Sequence, residues 1–282
     1  MAAQDLINTK QELIGAIVLR ELKNSATLLR FVTDMSNLAV KGASSISVPK
    51  LSSFAVGDRV LGAAGAETAA LAADKDTIEL NKNKYLQWGY DAKSDQQSTI
   101  SYLTESIKRA SSAMGRQINA DILTAWNASV GAAFVTGVDI VAADILNMRE
   151  HLIANYADMN TAALIISADQ EKAMLKLPEF SRYEYRGGAE APVVNGMIGQ
   201  VYGVPVVIFQ GLAAFEAFMV TPEGSGFAFQ VAPAIAQEDN LDYGTGGKKV
   251  VADTLYGVGG LQLGEGEFNV VAAKSPFITK KS

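Results

Sequence analysis

The chain has 282 residues, 49% hydrophobic and 19% charged, with a formal net charge of −6. That balance excludes a disordered chain and argues against sequence-independent nucleic-acid binding, which draws on Lys and Arg facing phosphates. Cysteine is absent, which excludes disulfides and thiolate metal sites, and no run approaches the ~20 apolar residues of a membrane-spanning helix.

Met1–Lys10 is polar and lacks the apolar core of a secretion signal. Thr9 and Glu12 have capping-box spacing, and Leu13, Ile14, Ile17, Val18 and Leu22 follow on one face, which predicts a short amphipathic helix. Two readings stay open for it: packing on its own domain, or docking as an arm on a neighbouring subunit. Ala26–Val40 carries apolar pairs without a period and reads as mostly extended.

Ile46, Val48 and Leu51 alternate with Ser47, Pro49 and Lys50, a strand pattern in which Pro49 marks an edge. Phe54–Asp76 is rich in Ala and Gly and has little to anchor it. Thr77–Tyr90 alternates again through Ile78, Leu80, Tyr85, Trp88 and Tyr90. Two strands joined by roughly 25 weakly structured residues do not suit a compact domain. They suit a protruding hairpin that gains its order from a neighbour, since a lone hairpin is marginal in water.

Ser94–Trp126 is the longest periodic stretch. Ser94 and Gln97 have capping-box spacing, and Ile100, Leu103, Ile107, Ala110, Met114, Ile118 and Ile122 recur at gaps of three and four. Gly115 alone interrupts, at about 1 kcal/mol against alanine, and Gly131 is the first stop. At about 1.5 Å per residue this is a rod of about 45–50 Å, a spine for one or two domains. It is too short, and too poor in leucine at core positions, for a coiled coil.

After the spine, Thr136 and Asp139 have cap spacing. Ile140, Val141, Ile145, Met148, Leu152 and Tyr156 then predict a helix. Ala162–Ser167 reads as a strand buried on both faces. Ser167 and Gln170 open a short helix that Pro178 ends, and Phe180–Asn195 is a polar loop with Arg182, Arg186, Gly187 and Gly188. Val201–Phe209, Phe215–Val220 and Phe227–Val231 read as strands, the last two separated by a turn at Pro222–Gly226. Residues 132–235 thus form a small sheet with two helices.

The tail returns to β structure, with a turn at Tyr243–Gly247, apolar residues from Val250 to Val258, a glycine-punctuated stretch, and a last strand at Phe268–Ala272. A chain that leaves the spine, builds one domain and comes back makes the spine's domain discontinuous. Its sheet is expected to take strands from both sides of the insertion.

Catalytic patterns are not met. The single histidine, His151, shares a register with Asn147 and Asn155 and reads as a solvated helix-face residue. One His without Cys argues against a zinc site, which needs three or four ligands. Gly224-Ser225-Gly226 lacks the nucleophile-elbow pattern. Gly246-Gly247-Lys248-Lys249 fails as a P-loop, because Asp242 stands where the first Gly is needed and Lys249 where Ser or Thr is needed. Gly264-Glu265-Gly266 is a turn with no helix after it. Asp91 and Asp95 suit the positive end of the spine's dipole. No catalytic, cofactor-binding or metal residue is assigned.

The order of arm, long hairpin, spine helix, inserted α/β domain and β return resembles the major capsid proteins of tailed double-stranded DNA phages, with the α+β Hong Kong 97-type fold. Gly199–Gly211 (GQVYGVPVVIFQG) looks like that family's axial-domain strand. Val250–Gly260 (VVADTLYGVGG) is similar to its returning strand, and Lys84–Ser98 (KYLQWGYDAKSDQQS) to the passage from hairpin into spine. The resemblance implies an N-terminal arm at 1–45, an extended loop at 46–90, a peripheral domain at 91–131 and 236–282, and an axial domain at 132–235. It implies subunit contacts at Leu13 and Ile17 on the arm, Phe54, Arg59 and Leu61 on the loop, and Arg182 and Arg186 on the axial loop.

The function implied is a coat protein, not an enzyme, with no cofactor. It assembles with itself into hexamers and pentamers of an icosahedral shell enclosing phage DNA. The partners implied are a portal and a separate scaffolding protein, with a decoration protein as a further one, and no membrane. The location implied is the virion, after assembly in the bacterial host cytoplasm. Some relatives carry an N-terminal scaffolding segment; here one is expected to be absent or removed. Some form a lysine–asparagine crosslink. Lys75, Lys82 and Lys84 lie on the loop, but the partner positions have no match and that chemistry is not carried over. Two alternatives remain: an encapsulin-type nanocompartment shell, which shares the fold, and a soluble α/β enzyme or ligand-binding protein built on 132–260, which lacks catalytic residues.

Overall fold

Helix α1, Tyr102–Ser129, is the spine. Ile107, Ala110, Met114, Ile118 and Ile122, all on the expected stripe, are buried, while Lys108 and Arg116 on the other side are exposed. With 28 residues the helix is about 42 Å long. The computed structural model describes residues 21, 22, 25–51, 73–91, 93, 102–134, 139–177, 197–244, 246–262 and 275–281, so the cap expected at Ser94 and Gln97 lies outside the described residues. The chain divides into two units, the first Met1–Ile46, Glu79–Thr124 and Phe227–Val258, the second Ser47–Ile78, Ala125–Gly226 and Gly259–Ser282.

In the first unit the spine carries a polar clamp that the apolar stripe did not reveal. Buried Asn119 accepts the N–H of Leu28 at 3.2 Å and donates to the carbonyl of Ser25 at 2.9 Å. Both bonds satisfy backbone groups that would otherwise be buried unpaired, which is costly. One turn back, Gly115 leaves room for that segment: a Cβ there would lie 2.0 Å from Ser25 Oγ and 3.1 Å from the Ala26 nitrogen. The glycine that interrupts the helical pattern is thus the point of closest backbone approach.

The first unit's sheet has the order β1 (Thr33–Asp34), β10 (Ser225–Asp239), β11 (Lys248–Gly260), β4 (Lys82–Tyr90), so two strands precede the spine and two follow it. β11 and β4 run antiparallel with Val250 opposite Trp88 and Tyr256 opposite Lys82. Alternation buries Val250, Ala252, Thr254 and Tyr256 on one face, as a half-covered sheet requires. Phe227 stacks near Tyr256 (5.4 Å between centroids) and meets Phe229 edge-on (4.6 Å). Trp88 Nε1 donates to Ser106 Oγ on the spine at 3.1 Å.

The second unit holds a six-stranded mixed sheet, β5 (Val130–Phe134), β12 (Ser275–Lys281), β9 (Ala217–Val220), β6 (Ala163–Ile166), β8 (Val204–Ile208), β7 (Met197–Val201). β12 is parallel to β5 and antiparallel to β9; β6 is parallel to β8 and antiparallel to β9. Every residue of β6 and β9 is buried, the mark of strands covered on both faces. Helices α2 (Ala142–Ala154) and α3 (Ala168–Lys176) contribute Ile145, Met148, Leu152, Ala173 and Met174 to the core with Leu164, Ile166, Val206 and Met219. Trp126 at the spine's end packs on Phe218 (6.0 Å) and donates to Ser225 Oγ at 2.9 Å. Lys280 on β12 pairs with Glu216 at 2.6 Å and donates to Asn127 at 2.7 Å.

Several local expectations change. Ala26–Val40 is not extended: it forms 3-10 turns at Thr27–Phe31 and Ser36–Leu38, because Asn119 draws in the Leu28 N–H and Asp34 Oδ1 accepts the Ser36 N–H at 2.9 Å. The Thr77–Tyr90 alternation is two strands, not one. β3 (Ala73–Glu79) pairs with β2 (Ser45–Leu51) in a separate two-stranded sheet, while β4 joins β11. The Val201–Phe209 strand is a hairpin, turned by Tyr202 (φ 51°) and Gly203 (φ 80°), the positive angles of a type I′ turn.

Helix α2 starts after Asp139, at Ala142. There Asp144 accepts the Val141 N–H at 3.1 Å, half of a capping box without a hydroxyl partner. β9 starts at Ala217, since Phe215 has φ 65°, which no strand residue adopts. β10 runs beyond Val231 to Asp239. The strand expected at Phe268–Ala272 lies outside the described residues.

Candidate subunit interface

The contact residues expected from the resemblance, Leu13, Ile17, Phe54, Arg59, Leu61, Arg182 and Arg186, all lie outside the described residues.

In the second unit, α2 is apolar on two sides. Ile145, Met148 and Leu152 face the core, as the helical period predicts. On the outer side stand Leu146 at 45% and Ile153 at 51% exposure. They are two turns apart and share one face. Val141 at the helix start and Tyr156 just past its end are exposed at 44% and 73%.

Gln170 on α3 is fully buried and ties two backbone segments together. Its Oε1 accepts the Ile140 N–H at 2.7 Å and its Nε2 donates to the Phe215 carbonyl at 2.8 Å. One amide therefore holds the entry to α2 beside the turn that presents half-exposed Phe215. Arg149, on the same helix, donates to the Tyr202 carbonyl at 2.7 Å and fixes the hairpin turn. The three non-glycine residues with positive φ among the described residues are Tyr156, Tyr202 and Phe215, all aromatic and all in this unit.

In the first unit, Leu38, Val40, Tyr85, Leu241 and Tyr243 are exposed. A polar network stands between the spine and the sheet: Tyr256 donates to Asp121 at 2.6 Å, and Lys84 pairs with Asp121 at 3.4 Å. Burial first, then the bond and the charge of Asp121, push the Tyr256 hydroxyl well above the usual phenol range.

His151 is half-buried on α2 rather than fully solvated, and burial lowers its pKa. Asn155 donates to its carbonyl at 2.7 Å. Among the described residues no three His, Cys, Asp or Glu side chains gather as a metal site, and no helix is long and apolar enough to cross a membrane. Leu146 and Ile153 stand outside the stripe that the helical period picks out. The signal that finds them is their own seven-residue spacing on a helix whose core face is already complete.

The spine helix, the discontinuous four-stranded sheet and the six-stranded α/β unit together make the Hong Kong 97-type α+β fold. No family model matches the sequence, and no curated protein does. Solved structures that share the fold include one from Mycobacterium phage Che8, 15% identical, covering 90% of each chain at a TM-score of 0.67. The capsid of cyanophage P-SCSP1u is 11% identical, covering 89% of this chain and 86% of that one at 0.67. A virus-like particle from Pyrococcus furiosus is 12% identical, covering 97% and 99% at 0.60.

Proposed function

We propose that this chain is the major capsid protein of a tailed double-stranded DNA phage, a structural subunit that assembles with itself into hexamers and pentamers of an icosahedral shell. The observation that carries this is the end-to-end likeness to the cyanophage capsid subunit, over 89% of this chain and 86% of that one. A likeness confined to one unit would fit a shared α/β domain; one spanning spine, sheets and insertion fits the same construction.

In this reading the unit with the spine and four-stranded sheet is peripheral and the six-stranded unit axial, bounds that differ from the expected 91–131 with 236–282 and 132–235 in that Ser275–Lys281 pairs in the six-stranded sheet and Ser225–Asp239 in the four-stranded one. The β2–β3 hairpin is the base of an extended loop that lies over a neighbour. The net charge of −6 suits a container that does not grip its DNA. A portal, a scaffolding protein and a decoration protein are the further partners, and assembly belongs to the host cytoplasm. The role is structural, without catalysis.

Sedimentation and negative-stain microscopy of the purified protein, with and without a scaffold, test the proposal. Closed shells, hexamers or pentamers are expected, and a compact monomer under every assembly condition overturns it. Deletion of residues 57–72 is expected to leave melting near wild type while particles are lost.

The likeness to the Pyrococcus furiosus particle, at 97% and 99% coverage, favours a second reading, an encapsulin-type compartment. Particles from the native source decide between them: nuclease-protected DNA supports the phage shell, and an enclosed enzyme supports the compartment.

A further inference from the structure

We propose that the free edge of β4 pairs antiparallel with the same strand of a second copy, joining two chains about a two-fold axis into one continuous sheet. Hexamers and pentamers are rings, in which each subunit offers one patch to the next and a different patch back. The contact inferred here is two-fold, and it holds or fails independently of the shell reading.

β4 (Lys82–Tyr90) ends the order β1-β10-β11-β4, so among the described residues β11 is its one strand partner. The outermost strand of a sheet presents a row of backbone N–H and C=O groups, a template for a further strand. Proteins blunt such edges with proline, bulges, charge or brevity. The other edges carry these devices. β1 has two residues and β5 has five. β2 contains Pro49, and β3 contains Asp74, Lys75, Asp76 and Glu79. In β7, Gly199 (φ 84°) falls where the register with β8 shifts. β4 has nine residues, no proline, and an unbroken register with β11 from Lys82 to Tyr90.

The side chains leave this edge open as well. Alternation puts Asn83, Tyr85 and Gln87 on the exposed face, none of them charged, and Tyr85 is 76% exposed. Beside them on β11 stand Leu255, Asp253 and Val251. Lys82 and Lys84 alternate onto the half-buried face, where Lys84 pairs with Asp121 of the spine.

The sequence of β4 selects the occupant. Laid antiparallel on itself with Leu86 at the axis, the whole strand pairs. Tyr85 then faces Gln87 of the other copy, Lys84 faces Trp88, Lys82 faces Tyr90 and Asn83 faces Gly89. No lysine faces a lysine, and each meets an aromatic ring, a favourable neighbour for a cation. A register that overlaps only the Lys82–Leu86 half sets Lys84 against Lys84, and like charges directly opposite are destabilising. Charge and length together favour the full register, and strand addition at an open edge is an established mode of recognition.

The chain has no cysteine, so introduced thiols report the contact without background. Tyr85→Cys and Gln87→Cys are made as separate full-length variants. In the full register, position 85 of one copy lies directly opposite position 87 of the other, within disulfide reach. Two copies of position 85, or of 87, lie diagonally and out of reach. With oxidised glutathione as the oxidant, the mixed variants are expected to give about tenfold more covalent dimer on non-reducing gels than either alone. A second pair of chains tests charge. Tyr85→Lys with Gln87→Lys sets lysine opposite lysine on an exposed face. It is expected to melt within a few degrees of wild type by circular dichroism and to dimerise about tenfold more weakly in analytical ultracentrifugation. Mixing it with the Tyr85→Glu, Gln87→Glu chain is expected to restore the dimer.

Crosslinking that is equal in the mixture and in the single variants, or absent from both, overturns the proposal. So does a lysine variant that dimerises like wild type. Rings or shells of wild type without crosslinking in the mixture overturn the two-fold contact and leave the shell reading standing. Crosslinked dimers that form no ring or shell under any condition do the reverse.

Discussion

Tyr256 on β11 and Asp121 on the spine helix meet across 2.6 Å, the phenol donating to a carboxylate that also pairs with Lys84 on the neighbouring strand β4. Tyr256 is fully buried. One carboxylate therefore joins a helix to two adjacent strands of the first unit's sheet. Tyr256→Phe removes a bond to a charged group, worth about 1.5–3 kcal/mol. A lower melting temperature in calorimetry is expected; an unchanged one would show the bond to be idle.

Gly115→Ala offers a sign test. Helix propensity alone predicts a gain of about 1 kcal/mol. The added Cβ would fall 2.0 Å from Ser25 Oγ, so the structure predicts a net loss of stability. Denaturant titration measures it. Combining the change with Ser25→Gly relieves the side-chain clash and is expected to recover part of the loss, whereas a stabilising single change would mean that Ser25 does not rest on the helix.

The stripe itself is tested by a pair. Ile107 is buried and Lys108 is exposed. Ile107→Asp buries an unpaired carboxylate at a cost of several kcal/mol, comparable with the stability of a domain. Lys108→Asp is expected to stay within about 0.5 kcal/mol. Limited proteolysis reads the difference, and equal resistance in the two variants contradicts the packing of the spine.

Burial lowers the pKa of His151 below its ordinary value, near 6.5 when unperturbed. The unfolded chain therefore binds the proton more readily than the folded one. The contribution of His151 is fully present above about pH 6.5 and is lost as pH falls from there through the lowered folded value. His151→Asn is expected to flatten that part of the stability–pH curve, measured by thermal unfolding between pH 7.5 and pH 5 at steps of about half a unit.

How much of this was legible in the sequence depended on the range of the cause. The spine was readable because Ile107 to Ile122 repeat with the helix's own period, and the strand in Ala162–Ser167 because the apolar run up to Ile166 has to be covered on both faces. The turn at Tyr202-Gly203 was not, since tyrosine gives no turn signal and its positive φ is imposed by the hairpin and by the Arg149 bond. Gly115 reads as an interruption and Asn119 gives no signal, because their partners at Ser25 and Leu28 lie about ninety residues away, beyond any local pattern. Leu146 and Ile153 went unread because periodicity locates a core face and is silent about an apolar residue on the other side. The contact residues chosen from the resemblance fall outside the described residues, so their places rest on the likeness alone.

Strand β12 has a consequence for synthesis. It lies between β5 and β9, and β5 pairs with no other strand among the described residues. Val130–Phe134 thus leaves the ribosome long before Ser275–Lys281 exists to receive it. At about 5–20 residues per second the wait is on the order of ten seconds. During that time β9, β6, β8 and β7 can pair among themselves, while β5 remains an open strand seeking a partner. The six-stranded sheet cannot close on a nascent chain that stops short of β12. Translation itself then sets the earliest moment at which this sheet can be complete.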